Sequence, residues 1–156
     1  MSEAQYALSV KQPWATLLVR GLKTVEVRRW PTARRGPILI HAAQVSADDP
    51  AIWALLPDDL RDQARVVGGV IGQCELTGCV AYRTVEDFAA DRPRHLNFAE
   101  WFQPPVLYGF TVAEATPLPF RPYPGWLRFF PVHAETPRRS RRGGRPPIAG
   151  TLFPDL

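Results

Sequence analysis

Three charged residues stand close together in the sequence and could bind an anion or a nucleobase. Lys23, Glu26 and Arg28 fall within six positions. An arginine presents a planar fork of donors that fits a phosphate group or a base edge. A glutamate can accept a hydrogen bond from an amino group such as that on C4 of cytosine, and it can act as a general base toward water. The spacing therefore predicts a nucleotide-like ligand, with Lys23 and Glu26 as candidate catalytic residues, although Glu26 and Arg28 could instead pair with cross-strand neighbours.

Five further residues extend this candidate ligand site. Lys11 and Gln12 precede a predicted helix start, where backbone donors attract anions, although both could equally be solvated loop residues. Trp30 could stack on an unpaired base or belong to the core. Arg35 belongs to the same basic stretch. His41 ends an apolar strand, where a catalytic histidine and a buried, hydrogen-bonded one are the two alternatives.

Positive charge is concentrated in two places along the 156 residues, whose formal net charge is +4. Residues 11–35 carry seven basic side chains and one acidic one, and residues 137–156 carry five arginines and one aspartate. A basic segment on an otherwise neutral or acidic body indicates a local anionic ligand. A solvated charged surface would give the same counts.

A helix followed by a strand must position the charged residues. Pro13 suits the first helical position and Gly21 suits a left-handed C-terminal cap. Trp14 falls on the apolar face between them, so we expect it in the core. Residues 23–30 alternate as a half-buried strand that places Glu26 and Arg28 on one face.

Simple alternation puts Lys23 on the opposite face of that strand from Glu26. The chain must therefore twist or bulge just after Gly21 if Lys23, Glu26 and Arg28 are to share one cleft. We predict that they do, joined by Lys11, Gln12 or His41.

The remaining segments mix short strands with short helices. Helices are predicted at 48–65, from Thr84 onward and around 98–102, the last capped by Asn97. Strands are predicted at 38–43, 66–82, 107–115 and 125–132. Glycines within 66–82 indicate bulges that let a sheet curve. The prediction is an α+β fold built on a small curved sheet or barrel with a few flanking helices.

Three short motifs carry a resemblance to a known family. Residues 8–14 read LSVKQPW, residues 21–28 read GLKTVEVR and residues 35–41 read RGPILIH. In this order and spacing they resemble the N-terminal signature of ASCH domains, and the likeness extends over roughly residues 6–132. The resemblance implies a PUA-like β-barrel that binds RNA or a modified nucleotide.

The same resemblance leaves enzymatic activity open. Some ASCH proteins resemble this sequence and hydrolyse N4-acetylcytidine, using a lysine and a nucleophilic threonine three residues later. Lys23 matches that lysine, but Glu26 occupies the threonine position, and Thr24 stands only one residue after the lysine. RNA cleavage by Lys23, Glu26, Arg28 and His41 is the other hydrolase alternative. RNA, single-stranded DNA and a free nucleoside cannot be separated from the sequence.

The C-terminal stretch lies beyond the resemblance. We expect residues 1–136 to form the ASCH-like domain, residues 137–147 a flexible linker rich in arginine, proline and glycine, and residues 148–156 a short apolar segment. Ile148, Leu152 and Phe153 are candidate contacts to a protein partner or a second copy of the chain. The third functional alternative is accordingly a protein-interaction adaptor.

Other features narrow the function classes. Apolar runs are too short to span a membrane, and no signal peptide is evident, so we expect a cytoplasmic protein with no membrane partner. Cys74 and Cys79 lack histidines nearby at metal-ligand spacing. We therefore expect no metal and no cofactor, and two small buried apolar residues, with a disulfide between them left open.

Overall fold

The computed structural model describes residues 5–134, in which six β-strands form one curled sheet flanked by short helices. The strands are β1 (Gln5–Val10), β2 (Val25–Arg28), β3 (Gly36–Ala42), β4 (Gly69–Tyr82), β5 (Leu107–Pro122) and β6 (Phe129–Val132). The helices are α1 (Trp14–Val19), α2 (Pro50–Trp53), α3 (Val85–Ala90) and α4 (Arg92–His95), with 3₁₀ turns at Asp58–Leu60, Gln63–Arg65 and Ala99–Trp101.

The sheet order is β2-β5-β4-β3-β1-β6, with β1 and β3 parallel and all other neighbours antiparallel. Three register shifts interrupt the pairing of β4 with β5, two of them ending at Gly72 and Gly78. Such bulges increase strand bending and twist. The curl brings the two edge strands together, because Trp30, just after β2, packs edge-on against Phe129 of β6 at 5.7 Å between ring centroids. The predicted α+β fold, a small curved sheet or barrel with a few flanking helices, is confirmed, and the sheet has the form of a half-barrel.

The main core fills the inside of the curl. It joins the apolar face of α1 to inward-facing residues of four strands, including Leu8, Leu17, Leu18, Ile40, Leu76 and Phe110. Trp14 is buried in this core, as its position on the apolar helical face predicted. Trp30, for which the sequence left two readings, also contributes to the core.

The end of α1 determines where Lys23 lies. Gly21 has φ +74°, and the N–H groups of Gly21 and Leu22 donate to the carbonyls of Leu18 and Leu17. This is the Schellman arrangement, which reverses the chain at a helix end. The predicted twist after Gly21 is thus present, and it places Lys23 on the side of Glu26 rather than opposite it.

Two helix predictions were wrong in detail. The region 48–65 is not one helix, since Pro57 has an extended ψ of 144°, and a proline both lacks the N–H needed to continue a helix and disfavours helical geometry before it. Asn97 does not cap residues 98–102, because left-handed Leu96, with φ 62°, turns the Asn97 side chain back to the His95 carbonyl. By contrast, the Thr84 hydroxyl accepts from the Asp87 N–H and caps α3 as predicted.

Several sequence predictions concern residues that the structure does not describe. The proposed linker, 137–147, and the apolar segment, 148–156, with Ile148, Leu152 and Phe153, lie outside residues 5–134. Within those residues, no helix is long and apolar enough to cross a membrane. Cys74 and Cys79 are free thiols, and burial raises the pKa of Cys74 to about 12, with nearby Glu75 adding to the effect.

Candidate functional site

Lys23, Glu26 and Arg28 form a buried charged cluster. They are only 1%, 4% and 7% exposed. The Glu26 Oε2 atom accepts from Arg28 Nη2 at 2.8 Å and from Arg28 Nε at 3.2 Å, and Glu26 Oε1 lies 3.6 Å from Lys23 Nζ. Two cations therefore share one carboxylate, and the cluster has an excess positive charge when Lys23 is protonated.

Lys23 is held from three sides. Its Nζ donates to the His95 carbonyl at 2.7 Å and lies 4.3 Å from the Trp14 ring centroid, in addition to facing Glu26. Burial lowers the pKa of Lys23 from 10.5 to about 8, Glu26 offsets part of that effect, and Arg28 adds to it. An amine with such a pKa can lose its proton near neutral pH, which an ordinary surface lysine does not do.

Arg28 connects the cluster to the first strand. Its Nη2 donates to the Ser9 carbonyl at 2.8 Å, so the guanidinium ties β2 to β1 across the open side of the curl. The Nε and Nη2 donors are thus occupied by Ser9 and Glu26. Within residues 5–134, Nη1 makes no hydrogen bond, which leaves part of the fork for a ligand.

Three buried polar atoms lack a hydrogen-bond partner among residues 5–134, and the first two of them belong to residues beside this cluster. They are Trp14 Nε1, Asn97 Oδ1 and Gln103 Oε1. Asn97 is adjacent to Lys23, because its Nδ2 donates to the same His95 carbonyl at 2.8 Å. Buried polar groups without partners are costly and uncommon in folded proteins. Trp14 Nε1 and Asn97 Oδ1, a donor and an acceptor beside a cation, form a set that the edge of a nucleobase can satisfy.

Two predicted ligand residues are committed to hydrogen bonds inside the protein. Gln12 is fully buried, its Oε1 accepts from the N–H and hydroxyl of Thr16, and its Nε2 donates to the Val66 carbonyl at 3.0 Å. Both nitrogens of His41 are engaged, with Nε2 at 2.6 Å from the Tyr123 carbonyl and Nδ1 at 2.9 Å from Ser9 Oγ.

The bonding of His41 indicates its protonation state. A carbonyl can only accept, so Nε2 carries the hydrogen, and the Ser9 hydroxyl donates to Nδ1 of the neutral ring. Burial lowers the pKa of His41, and the hydrogen bond to the Tyr123 backbone opposes this only in part. A side chain at Gly125 would approach His41 Cε1 to 2.9 Å, so the backbone of Gly125 covers the ring. This environment is that of a structural histidine.

Trp30 and Arg35 lie in a different place from the charged cluster. Together with Arg34, Arg128 and Phe129 they line a groove of about 540 Å³ between the β2–β3 connection and the start of β6. Lys11 is half-buried, and its carbonyl accepts from the Ala15 N–H at the start of α1. The structure thus brings Lys23, Glu26 and Arg28 together and gives Trp30 and Arg35 a separate setting.

Sequence reasoning missed three residues of these two places. Asn97 was read only as a helix cap. Arg34 was only part of a charge count, and Arg128 only part of a strand. The one sequence signal for the groove was the arginine content of residues 29–35, because Arg128 comes close to these residues only after folding.

Comparison with known proteins agrees with the fold. The model of the ASCH domain family matches residues 8–133. The crystal structure of ASCH from Zymomonas mobilis aligns with a TM-score of 0.54 at 19% sequence identity, covering 76% of this chain and 73% of that one. A variant of the same protein with tyrosine changed to phenylalanine aligns with a TM-score of 0.55 at 18% identity, covering 77% and 76%.

A shorter stretch is similar to a curated protein. Over 37 residues, 24% of this chain, the sequence is 60% identical to activating signal cointegrator 1 from Homo sapiens and 57% identical to the Mus musculus protein of the same name. The matched stretch covers only 6% of the length of either relative.

Proposed function

The chain belongs to the ASCH domain family, whose members are generally RNA-binding, and from this premise we propose that it binds single-stranded RNA or a modified nucleotide at the charged cluster. The observation that carries the proposal is the pair of buried atoms beside Lys23, Trp14 Nε1 and Asn97 Oδ1, that lack a hydrogen-bond partner among residues 5–134. A base entering there would find a donor, an acceptor and the Nη1 of Arg28.

An unpaired base suits this site better than a duplex. The polar atoms are buried, so only a nucleotide that leaves its stack could present a base edge to them. We therefore expect tighter binding of single-stranded RNA than of duplex DNA.

The test is a binding titration with a ten-nucleotide single-stranded RNA, a duplex DNA of equal length, cytidine and N4-acetylcytidine. Trp14→Phe removes the unpartnered N–H without changing charge. One lost hydrogen bond of about 1 kcal/mol corresponds to roughly fivefold weaker binding of the RNA and of the nucleoside that binds best. Arg28→Ala should weaken binding by roughly 1–3 kcal/mol if Nη1 contacts a base.

Trp53→Phe is the matched control. Trp53 Nε1 donates to the Ala47 carbonyl at 2.7 Å, so this change breaks an internal bond and should lower stability while leaving ligand affinity intact. Wild-type affinity of Trp14→Phe for all four ligands would remove the buried polar atoms from ligand binding. Preference for the duplex would reject the proposal.

A nucleic-acid-processing hydrolase using the same cluster is the second candidate function. The observation that favours it is Lys23, whose pKa of about 8 and distance of 3.6 Å from Glu26 suit proton transfer. If the protein cleaves RNA or N4-acetylcytidine, the rate should change with an inflection near pH 8, and Lys23→Met should abolish both the turnover and the inflection. A rate that persists in Lys23→Met would assign the chemistry elsewhere.

A further inference from the structure

A second positively charged surface lies outside the charged cluster. Residues 30–35, which connect β2 to β3, face Arg128 and Phe129 across a groove of about 540 Å³. This volume falls within the range typical of small-molecule sites and exceeds what one phosphate group needs. We call this surface the arginine groove.

Three arginines, Arg34, Arg35 and Arg128, line the arginine groove. Among residues 5–134, no acidic residue lines the groove, and the arginine ion pairs at positions 28, 61 and 94 do not involve these three. Three close positive charges repel one another, so an anion in the groove would relieve that repulsion.

Aromatic rings hold two of these arginines in place. The guanidinium carbon of Arg34 lies 4.0 Å from the Tyr6 ring centroid, and that of Arg128 lies 4.8 Å from the Trp30 centroid. Stacking occupies the face of a guanidinium and leaves its N–H edges available to oxygen acceptors. A side chain that is already ordered loses less entropy on binding.

The backbone of the groove is fixed as well. The Arg34 N–H donates to the Thr32 hydroxyl at 3.1 Å, and Arg35 Nη1 donates to the carbonyls of Thr32 and Arg34 at 3.2 and 2.7 Å. Arg128 has φ 57°, a left-handed conformation that a non-glycine residue adopts at some cost in energy. Such strain often marks functional positions.

We propose that the arginine groove binds consecutive phosphate groups of a single RNA strand. This rests on the proposed function. The groove begins at Trp30, two residues after Arg28, so the Cα atoms of these two residues are at most about 7 Å apart. A strand whose base enters the charged cluster could therefore lay its neighbouring phosphates on Arg34, Arg35 and Arg128. The groove supplies sequence-independent affinity, and the cluster reads the base.

Salt-dependent binding by the full chain tests this inference. The probes are the ten-nucleotide RNA, inorganic pyrophosphate and the nucleoside that binds best, each titrated between 50 and 200 mM salt. Each phosphate contact on a single strand contributes about 0.7 to the slope of log affinity against log salt. Changing Arg34, Arg35 and Arg128 together to Gln should lower that slope by about 2, weaken pyrophosphate binding, and leave nucleoside affinity unchanged.

Arg65→Gln is the matched control, because Arg65 is exposed, carries one charge and lies outside the groove on the 3₁₀ turn Gln63–Arg65. It should leave the RNA slope near the wild-type value. An RNA slope in the triple variant equal to that of wild type would overturn the inference while leaving the proposed function standing.

The pyrophosphate arm separates the two failures. If wild type binds neither RNA nor a nucleoside, the proposed function is rejected. If it binds a nucleoside but not RNA, only RNA as the source of the phosphates is rejected. Pyrophosphate binding that is lost in the triple variant would still support a phosphate site. If wild type binds neither RNA nor pyrophosphate, the inference that the arginine groove binds phosphate groups is overturned.

Discussion

The charged cluster and the arginine groove use positive charge in opposite ways. In the cluster, Lys23 and Arg28 are buried and share the single carboxylate of Glu26. In the groove, Arg34 and Arg128 lie on aromatic rings near the surface, with no ion-pairing carboxylate among residues 5–134. The cluster therefore has to be stabilised from within, whereas the groove keeps most of its charge for an external anion.

Desolvation explains this difference. Removing an ionised group from water costs several kcal/mol unless partners replace the lost hydration, and a surface guanidinium keeps most of that hydration. Changes in the cluster should therefore appear first as changes in folding stability. Changes in the groove should appear as changes in ligand affinity at nearly constant stability.

Neutralising Glu26 should have the largest effect of the changes predicted here. A small effect would contradict the difference between the charged cluster and the arginine groove. Glu26→Gln leaves Lys23 and Arg28 buried without a counter-charge. At pH 6, where Lys23 is protonated, we expect the free energy of unfolding to fall by about 3–5 kcal/mol, measured by urea denaturation.

Asp58→Asn provides the matched control for that measurement. It removes the carboxylate of an exposed pair with Arg61, whose atoms are 2.9 Å apart. An exposed ion pair contributes at most about 1 kcal/mol. Equal losses of stability in Glu26→Gln and Asp58→Asn would show that burial does not distinguish the cluster.

Deleting residues 137–156 sharpens the description of the groove, because five more arginines lie in that stretch. We propose that residues 1–136 fold as one unit, so the truncated protein should keep its thermal transition. If the deleted arginines contact phosphates, the salt slope for RNA should fall by up to about 3.5, since each contact contributes about 0.7. An unchanged slope would leave the groove arginines as the main phosphate contacts.

The same deletion tests the adaptor alternative. Ile148, Leu152 and Phe153 would be lost with it, so any self-association through them should disappear in analytical ultracentrifugation. A truncated chain that associates as the full chain does would argue against this segment as a contact.

The two regions also differ in how far the sequence could predict them. The convergence of Lys23 with Glu26 followed from the requirement for a turn at Gly21, because alternation alone would have separated them. The burial of Lys23 did not follow from the sequence. It depends on the His95 carbonyl and the Trp14 ring, which other parts of the chain supply. The groove needed Arg128, which folding brings close to a segment nearly a hundred residues earlier.

Raising the pH should produce a smaller and directional effect in the cluster. The pKa of Lys23 is about 8 in the folded protein and about 10.5 when unfolded. Between these values the unfolded chain holds more protons, so this group makes the free energy of unfolding rise with pH. Wild type should therefore gain stability relative to Lys23→Met between pH 8 and 10. A constant difference over that window would contradict the lowered pKa.

The smallest expected effect is at Thr24, the one hydroxyl in the 21–28 motif. Its backbone N–H donates to the Arg94 carbonyl, and its own carbonyl accepts from the Val112 N–H, so its main chain is fixed between α4 and β5.

In the hydrolases that the motif resembles, the nucleophile stands three residues after the lysine, where this chain has Glu26. We therefore expect weak or absent hydrolysis of N4-acetylcytidine and no ester on Thr24. Thr24→Val, which keeps the shape of the side chain, should match wild type in product formation and in intact mass after incubation with substrate. Rapid turnover by wild type that disappears in Thr24→Val would restore a nucleophile to the cluster and make it a catalytic centre rather than a base-reading one.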